Sequence, residues 1–218
     1  MLYLKQQINP HFLYNTLDMI RLKAAINKDT EVSQMLMKLV SFYRLSTKVY
    51  DSMVAVRKEV EMLDAYMSLM CYRYSDIIYR SEIEPGALDI EIPNFILQPL
   101  LENSLMHGLK DRRYQGTIIL KIYRNEQDKN ELNIWLIDDG IGIPDDKMAE
   151  LNAYNAKDSE ALYRVQTRTE GDRTHLGVIN VISRLKLYYQ ENAEVIYMRN
   201  ETGGTTVKIK IKTASEET

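Results

Sequence analysis

Several features that would point to a secreted or membrane-embedded protein are missing from this chain. It has one cysteine, Cys71, so an intrachain disulfide is impossible, and this composition fits a reducing cytoplasm. No run approaches the roughly 18 apolar residues that a membrane-spanning helix needs, and no signal peptide is visible. The net charge is only −3 over 218 residues. Charge therefore gives no reason to expect nucleic acid or an anionic membrane as the main partner.

Glycine and proline are nearly absent from the first 75 residues, which contain Pro10 and no glycine. Apolar residues there recur with the 3.6-residue period of an amphipathic helix. We predict one helix over Pro10–Tyr43, loosened near residues 27–29, and after a turn a second helix over Ala55–Tyr74. Two antiparallel helices cannot bury both apolar stripes against each other alone. We therefore expect a homodimeric four-helix bundle.

Beyond Tyr74 the pattern changes to β-branched alternation, which is typical of strands. Helical segments at about Pro93–Gly108 and Leu176–Gln190 separate these runs, and the mixture predicts an α+β layer with helices on one face of a mixed sheet. The predicted strands are Ile77–Ile83, Thr117–Arg124, Leu132–Asp138, Val195–Arg199 and Thr205–Lys212.

The change of pattern divides the chain into a helical domain, residues 1–75, and an α+β domain, residues 76–218. Within the second domain, residues 144–174 are polar with little periodicity. An irregular excursion of this length inside a compact domain is usually functional, so we predict a mobile lid over a ligand.

One of only three histidines, His11, follows Pro10 at the start of the predicted first helix. If Asn9 caps that helix, His11 lies in its first turn, where free N–H groups and the helix dipole disfavour an imidazolium. If the helix instead begins near Leu4, Pro10 kinks it at the same place. Both arrangements suit an exposed nitrogen nucleophile. Taken alone, however, an exposed histidine is more often an inert surface residue.

The helical segment over residues 98–108 carries a first group of candidate ligand-binding residues. Leucines at four-residue spacing can pack on the sheet, whereas Glu102, Asn103 and His107 fall on other faces of the helix. The amide oxygen of Asn103 would suit a Mg²⁺ ion that keeps most of its waters and phosphate oxygens. A solvated helix face that ends at Gly108 is the simpler interpretation of this segment alone.

The predicted strand that ends at Asp138 provides the second group. Asp138 and Asp139 precede Gly140-Ile141-Gly142, and these glycines let the backbone approach a flat ligand. An acid at a strand end can accept a hydrogen bond from an exocyclic amine. The alternative is a calcium-binding or purely structural turn, but the spacing lacks the later ligands of an EF-hand.

Two further segments contain glycine near a predicted element boundary. Residues 171–181 run through Gly177 into the start of a helix, whose backbone N–H groups can bind phosphate. An ordinary glycine near a helix end explains the same residues equally well. Gly203-Gly204-Thr205 is a tight turn before the last strand and predicts a hairpin.

Taken in this order, the segments resemble the LytS/YesM-like branch of the sensor histidine kinases, over nearly the whole chain. Residues 8–17 resemble its phosphoacceptor box, with His11 at the phosphorylated position. Residues 94–108 resemble the N box of the Bergerat-type (GHKL) ATPase domain, with Asn103 at the Mg²⁺-binding asparagine. Asp138 falls at the adenine-binding acid of the D-x-G-x-G box. The other matching positions are Gly140, Gly142, Gly177, Asn180, Arg184, Gly204 and Thr205.

This resemblance implies a two-component kinase with a Bergerat-type sandwich that binds ATP and Mg²⁺ and phosphorylates His11. Asn15, one helical turn further on, would orient the imidazole. Glu102 is the candidate general base, because Phe12 stands where many other histidine kinases have an acid. The nucleotide would be bound by Asn103, His107, Asp138, Gly140, Gly142, Gly177 and Thr205.

The resemblance also implies partners and a location. The phosphate would pass to an aspartate of a cognate response regulator, and the kinase would act as a homodimer. Members of this branch usually carry a membrane span. We therefore expect this chain to be the cytoplasmic part of a larger membrane sensor, joined to the membrane only through a missing N-terminal region.

Three positions depart from the family pattern. His175 stands where the lid box commonly has its first glycine, Met106 replaces a frequent lysine, and Asp139 replaces a frequent asparagine. Two alternatives therefore remain open. The protein could be a nucleotide-binding scaffold without autokinase activity, or a GHKL-type protein serine kinase that acts on a partner and for which His11 is irrelevant.

Overall fold

A computed structural model describes residues 10–47, 52–157, 162 and 176–213 of the chain. The proposed cap at Asn9, the lid-box residue His175 and most of the predicted lid beyond residue 157 lie outside these residues. Among the helices in the described part, none is long and apolar enough to span a membrane.

The N-terminal region is a helical hairpin of α1 (Pro10–Ile26) and α2 (Thr30–Thr47). The prediction of one continuous helix over 10–43 is therefore wrong. Between the two helices Lys28 adopts the left-handed conformation, with φ 60°. Asp29 then caps α2, because its Oδ1 accepts the backbone N–H of Val32 at 3.0 Å. A left-handed residue followed by an aspartate cap reverses the chain without any glycine.

Helix α3 (Val56–Arg73) is present where the sequence predicts it, but it does not form the hairpin with the first helix. It packs against α2 on one side and on the α+β core on the other. Its residues Val60, Leu63 and Met67 belong to the same buried cluster as the strands of the sheet. The helix that the sequence groups with residues 1–75 is therefore part of the core of the second region.

The main sheet has five strands in the order β2-β4-β5-β7-β6, and the first two of these are parallel while the other pairs are antiparallel. The prediction of a mixed sheet is confirmed, with each strand within two residues of its predicted start. A short antiparallel pair, β1 (Met53–Ala55) with β3 (Glu91–Pro93), was not predicted. The strands of the main sheet are β2 (Ile77–Ile83), β4 (Gly116–Arg124), β5 (Glu131–Asp138), β6 (Ala193–Arg199) and β7 (Thr205–Lys212).

Helices cover one face of this sheet. Alternate residues of β4 and β5, such as Leu120 and Ile134, are almost fully buried against α3, α4 (Leu97–Asn103) and α6 (Leu176–Tyr189). Trp135 lies on the opposite face by the same alternation, and the ammonium of Lys208 is 3.9 Å from the centre of its ring. The architecture is thus a two-layer α/β sandwich.

The beginning of the predicted lid is helical rather than irregular. Asp145–Ala153 forms α5, and a 3₁₀ turn over Tyr154–Ala156 follows it. Two acidic residues in the first turn of α5 favour its N-terminal end, where the helix dipole is positive. The side-chain amides of Asn152 and Asn155 each hydrogen-bond the backbone N–H and C=O of one residue of the edge strand β6. The beginning of the predicted lid is therefore packed against the edge of the sheet.

Candidate functional site

A cavity of about 620 Å³ opens between α4, α5 and the carboxyl end of β5. It lies on the helical side of the sheet and combines apolar walls with a few polar side chains, as small-molecule sites usually do. Residues from four of the segments that the sequence analysis singled out meet there, and Val178 is the one from residues 171–181. The polar and glycine residues from those motifs that line the cavity are Asn103, Ser104, His107, Gly108, Asp138, Gly142 and Thr205.

Asp138 is the most constrained polar group of the cavity, with only 2% of its surface exposed. Its Oδ1 accepts the backbone N–H of Gly140 at 3.0 Å and that of Thr205 at 3.2 Å. Its Oδ2 accepts the hydroxyl of Ser104 at 2.9 Å. A carboxylate offers about four lone-pair positions. These three bonds therefore leave room on Oδ2 for one more donor, which is what an exocyclic amine supplies.

The same surroundings shift the ionisation of this carboxyl. Burial raises the pKa of Asp138 above its usual value, and the nearby charge of Asp139 raises it further. The hydrogen bonds from Ser104, Gly140 and Thr205 act in the opposite direction because they favour the charged form. Burial is the larger effect, so the carboxylate loses its charge at a higher pH than an exposed aspartate does.

We expect this shift to appear in the pH dependence of ligand binding. Protonation removes an acceptor from Oδ2, so affinity for a ligand that donates an exocyclic amine, with adenosine as the probe, should fall as the pH is lowered through the Asp138 pKa, by up to about tenfold per pH unit. Ser104→Ala removes a bond to the charged form and should move the onset to higher pH, by about one pH unit at most. Calorimetric titrations at a series of pH values measure both curves. Protonation of the ligand itself affects the wild type and Ser104→Ala equally. If the two proteins give the same affinity curve against pH, this role of Asp138 is wrong.

The turn after Asp138 needs glycine at two positions. A Cβ atom at Gly140 would lie 2.5 Å from the carbonyl oxygen of Gly108, so the turn packs backbone to backbone against the helix that carries Asn103. Gly142 has φ +75°, a conformation that other residues rarely adopt. The glycines therefore bring the turn against the helix as well as against the cavity.

A π-helical turn over Ser104–Leu109 continues α4 and forms one wall of the cavity. Such turns insert an extra residue into the helix and often occur at functional sites. Here the turn buries Gly108 against Asp138 and leaves His107 exposed at the cavity. Gly108 is thus not the end of a solvated helix face, which was the simpler interpretation of this segment.

Other predicted site residues lie outside the residues that line this cavity. Glu102 accepts a hydrogen bond from Nε2 of Gln98 at 2.8 Å. Gly177 is in the first turn of α6, where an added Cβ would only touch Pro99 at 3.6 Å, an ordinary contact. His11 is exposed on α1, and the side-chain amide nitrogen of Asn15 lies 3.3 Å from its Nδ1.

Sequence reasoning missed five polar residues of the cavity, which are Ser104, Lys110, Asp111, Lys147 and Tyr197. Ser104 follows Asn103 directly, but nothing local signals that its hydroxyl reaches a strand 34 residues away. Lys110 and Lys147 line the cavity from different elements. Lys110 follows Met106 by one helical turn, so a cation is present on this wall although Met106 replaces the lysine that is frequent in the family.

A sandwich with this strand order and a cavity between the sheet and the α4 helix defines a class of ATPase domain. Residues 89–215 match the family described as histidine kinase-, DNA gyrase B- and HSP90-like ATPase. Residues 1–78 match the family described as histidine kinase. The chain therefore belongs to the histidine kinase family.

Curated relatives agree with this membership. The chain is 34% identical to the sensor protein LytS of Oceanobacillus iheyensis over 94% of its own length and 33% of that protein. It is 27% identical to the sensor histidine kinase YpdA of Escherichia coli over 95% of its own length, again 33% of that protein. The chain thus spans about a third of the length of these relatives.

Solved structures share the fold at low sequence identity. The histidine kinase domain of the Erythrobacter litoralis EL346 blue-light activated kinase has a TM-score of 0.50 and 18% identity, with 89% of this chain and 82% of that chain covered. The catalytic domain of histidine kinase ThkA has a TM-score of 0.50 and 14% identity, with 75% and 100% covered.

Proposed function

We propose that this chain is the kinase core of a two-component sensor, which transfers the γ-phosphoryl group of ATP to His11 and then to an aspartate of a response regulator. The observation that carries this proposal is the remaining acceptor position on Oδ2 of Asp138. It lies in a cavity that Asn103, Lys110 and Lys147 also line, in a chain of the histidine kinase family.

The residues of the cavity fit a nucleotide with its metal ion. Asp138 would accept the exocyclic amine of adenine, and the cations of Lys110 and Lys147 would face the phosphates. The amide oxygen of Asn103 would be the protein ligand of Mg²⁺, whose remaining ligands would be water and phosphate oxygens. When bound, Mg²⁺ supplies positive charge that offsets the charge on the phosphoryl oxygens. Such positioning and charge compensation account for most of the catalysis in phosphoryl transfer.

At the acceptor, one imidazole nitrogen of His11 attacks the γ-phosphorus. The bond from phosphorus to the β–γ bridging oxygen breaks, ADP leaves, and the N–H proton passes to a base. The side-chain amide nitrogen of Asn15 lies 3.3 Å from Nδ1 and would orient the imidazole for this attack. Glu102 stays our candidate for the base, although it lies outside the cavity lining. Because His11 does not line the cavity either, the α1–α2 hairpin must approach a nucleotide site before the phosphoryl group can be transferred.

The chemistry of the phosphorylated protein tests this function against its alternatives. After incubation with labelled ATP and Mg²⁺, the protein should carry phosphate that is lost in acid and kept in base, as phosphohistidine requires. Nucleotide binding without any label would exclude autophosphorylation and leave the scaffold or a serine kinase that acts on a partner. Label that survives acid would indicate the serine kinase.

We also propose that the catalytic domain begins at β1 rather than at residue 76, because α3 packs in its core. We further propose that the protein is a homodimer through the α1–α2 hairpin. Phe12, Met19 and Ile26 follow each other at seven-residue spacing on α1 and are 66%, 63% and 80% exposed in the single chain. A stripe at this spacing is typical of a helix that packs against a partner helix. The two hairpins of a dimer would then form the four-helix bundle.

A charge on this stripe should separate the dimer. We expect Met19→Glu to shift the protein from dimer to monomer at micromolar concentration, since two glutamates would face each other in an apolar seam. Sedimentation equilibrium measures the mass, which is 25.5 kDa for one chain. The control is Ala25→Glu, an exposed α1 position on another face, which should stay dimeric. A monomeric wild-type protein would contradict the proposed bundle.

The relatives' names describe sensors, and this chain spans a third of their length. We propose that it is the cytoplasmic kinase portion of such a sensor. The stimulus would then act on α1 and α2 through a segment that is not in this chain.

A further inference from the structure

A buried carboxylate joins α3 to the beginning of α4. Glu59, in the first turn of α3, is 1% exposed. Its two oxygens accept three consecutive backbone N–H groups, from Phe95 at 2.7 Å, Ile96 at 3.1 Å and Leu97 at 3.1 Å. These donors lie 36 to 38 residues further along the chain. The first turn of α4 is therefore capped by a different helix.

No side chain of its own N-cap residue performs this function for α4. Ile96 occupies that position and makes no capping hydrogen bond with its side chain. The preceding residue, Phe95, has φ +59°, which is unfavourable for a residue other than glycine. A conformation of this kind persists only where surrounding contacts maintain it. The bond from Phe95 N–H to Glu59 is one such contact.

Glu59 also interacts with Arg184 of α6. Burial raises its pKa, while the three N–H groups and the positive charge of Arg184 on α6 lower it. The guanidinium of Arg184 donates to the backbone oxygen of Asn94, directly before the capped turn. One cluster thus fixes the beginning of α4 relative to both α3 and α6.

The far end of the capped helix forms the proposed nucleotide site. From Leu97, α4 and its π-helical turn run to Asn103, to Ser104 with its bond to Asp138, and to His107. In the other direction α3 packs against α2, the second helix of the hairpin that carries His11. We propose that Glu59 is a positioning residue that holds α4 in the register required for nucleotide binding and couples the position of α3 to that site.

This inference rests on the proposed function for the identity of the ligand. Nucleotide affinity should depend strongly on the position of α3. A displacement of α3 by about 1 Å takes the three N–H groups out of hydrogen-bonding range of Glu59. Coupling between two sites is reciprocal. If the position of Glu59 affects nucleotide affinity, bound nucleotide must in turn stabilise the contact between Glu59 and the first turn of α4.

Hydrogen exchange on the wild-type protein tests this reciprocity without any substitution. With saturating Mg-ADP we expect the backbone amides of Phe95, Ile96 and Leu97, which are outside the cavity lining, to exchange at least about tenfold more slowly. The amide of Gly140, which is bonded to Asp138, serves as the control for binding itself. Slower exchange at Gly140 alone would overturn the coupling. No change at either place would overturn the proposed nucleotide function, and the coupling with it.

Substitution at Glu59 gives the second test. Glu59→Gln keeps the shape of the side chain but replaces one acceptor oxygen with a donor, and we expect the Kd for Mg-ADP and the KM for ATP to rise about tenfold or more. The autophosphorylation rate at saturating ATP should change much less, since nucleotide binding restores the register. Glu61→Gln, on the exposed side of the same helix where Glu61 pairs with Lys58, should change neither. A lower melting temperature for Glu59→Gln with unchanged Kd and KM would show a purely structural cap and overturn the proposal.

Discussion

Replacing His11 with glutamine should reduce phosphorylation of the protein by at least on the order of 10³-fold, because the amide has no nucleophilic nitrogen. His11 lies on exposed α1 and not among the residues that line the cavity. The affinity of the variant for Mg-ATP should therefore equal that of the wild type. Labelled ATP measures phosphate incorporation, and calorimetry measures binding.

The pair of measurements distinguishes loss of the acceptor from loss of the nucleotide site. Asn15→Ala is a useful companion variant, since it retains the imidazole and removes its neighbour at Nδ1. We expect a slower reaction, by about tenfold, with the same acid-labile product. If His11→Gln becomes labelled at the wild-type rate, another residue is the acceptor and the assignment of His11 is wrong.

The second large effect is expected for Asp138→Asn, which should weaken Mg-ATP binding by about 100-fold. A hydrogen bond to a charged group is worth about 1.5–3 kcal/mol, and the amide nitrogen of the substituted side chain would face the exocyclic amine with a donor instead of an acceptor. Isothermal titration calorimetry measures the change. Autophosphorylation at low ATP concentration should fall by a similar factor.

Loss of folding would not explain this result. An asparagine oxygen can still accept the N–H groups of Gly140 and Thr205, and its amide nitrogen can donate to the hydroxyl of Ser104. Because burial raises the pKa of Asp138, the neutral side chain should also fit this position without loss of melting temperature. The control is Asp139→Asn, a neighbour whose side chain is 32% exposed and which does not line the cavity. Equal ATP affinity of Asp138→Asn and the wild type would show that Asp138 does not bind adenine.

The strands were predictable because β-branched alternation reports burial on one face of a sheet, and each of them appears within two residues of its predicted start. The chain reversal at Lys28 could not be predicted, since one left-handed residue and an aspartate cap leave a weak signal in an otherwise helical stretch. The helical start of the lid was missed for a similar reason. Its stability comes from Asn152 and Asn155 on the edge strand, a contact that no local pattern contains.

The residues of the candidate site were also predictable only in part. Asn103, Asp138 and Thr205 were predicted as site residues from short motifs, which are weak singly and specific only in their order along the chain. Ser104, Lys110 and Lys147 became visible only when α4, α5 and β5 met around one cavity.

Local sequence is thus sufficient for the five strands of the main sheet, the family and the candidate acceptor histidine, since these depend on periodicity and on motifs within about ten residues. It did not predict the break between α1 and α2, the β1–β3 pair or α5. The assignment of α3 to the catalytic core, the remaining acceptor position on Asp138 and the capping of α4 by Glu59 depend on contacts between residues more than 30 positions apart. Only packing brings such residues together, because the free energy of burying their apolar neighbours selects one arrangement of helices on the sheet.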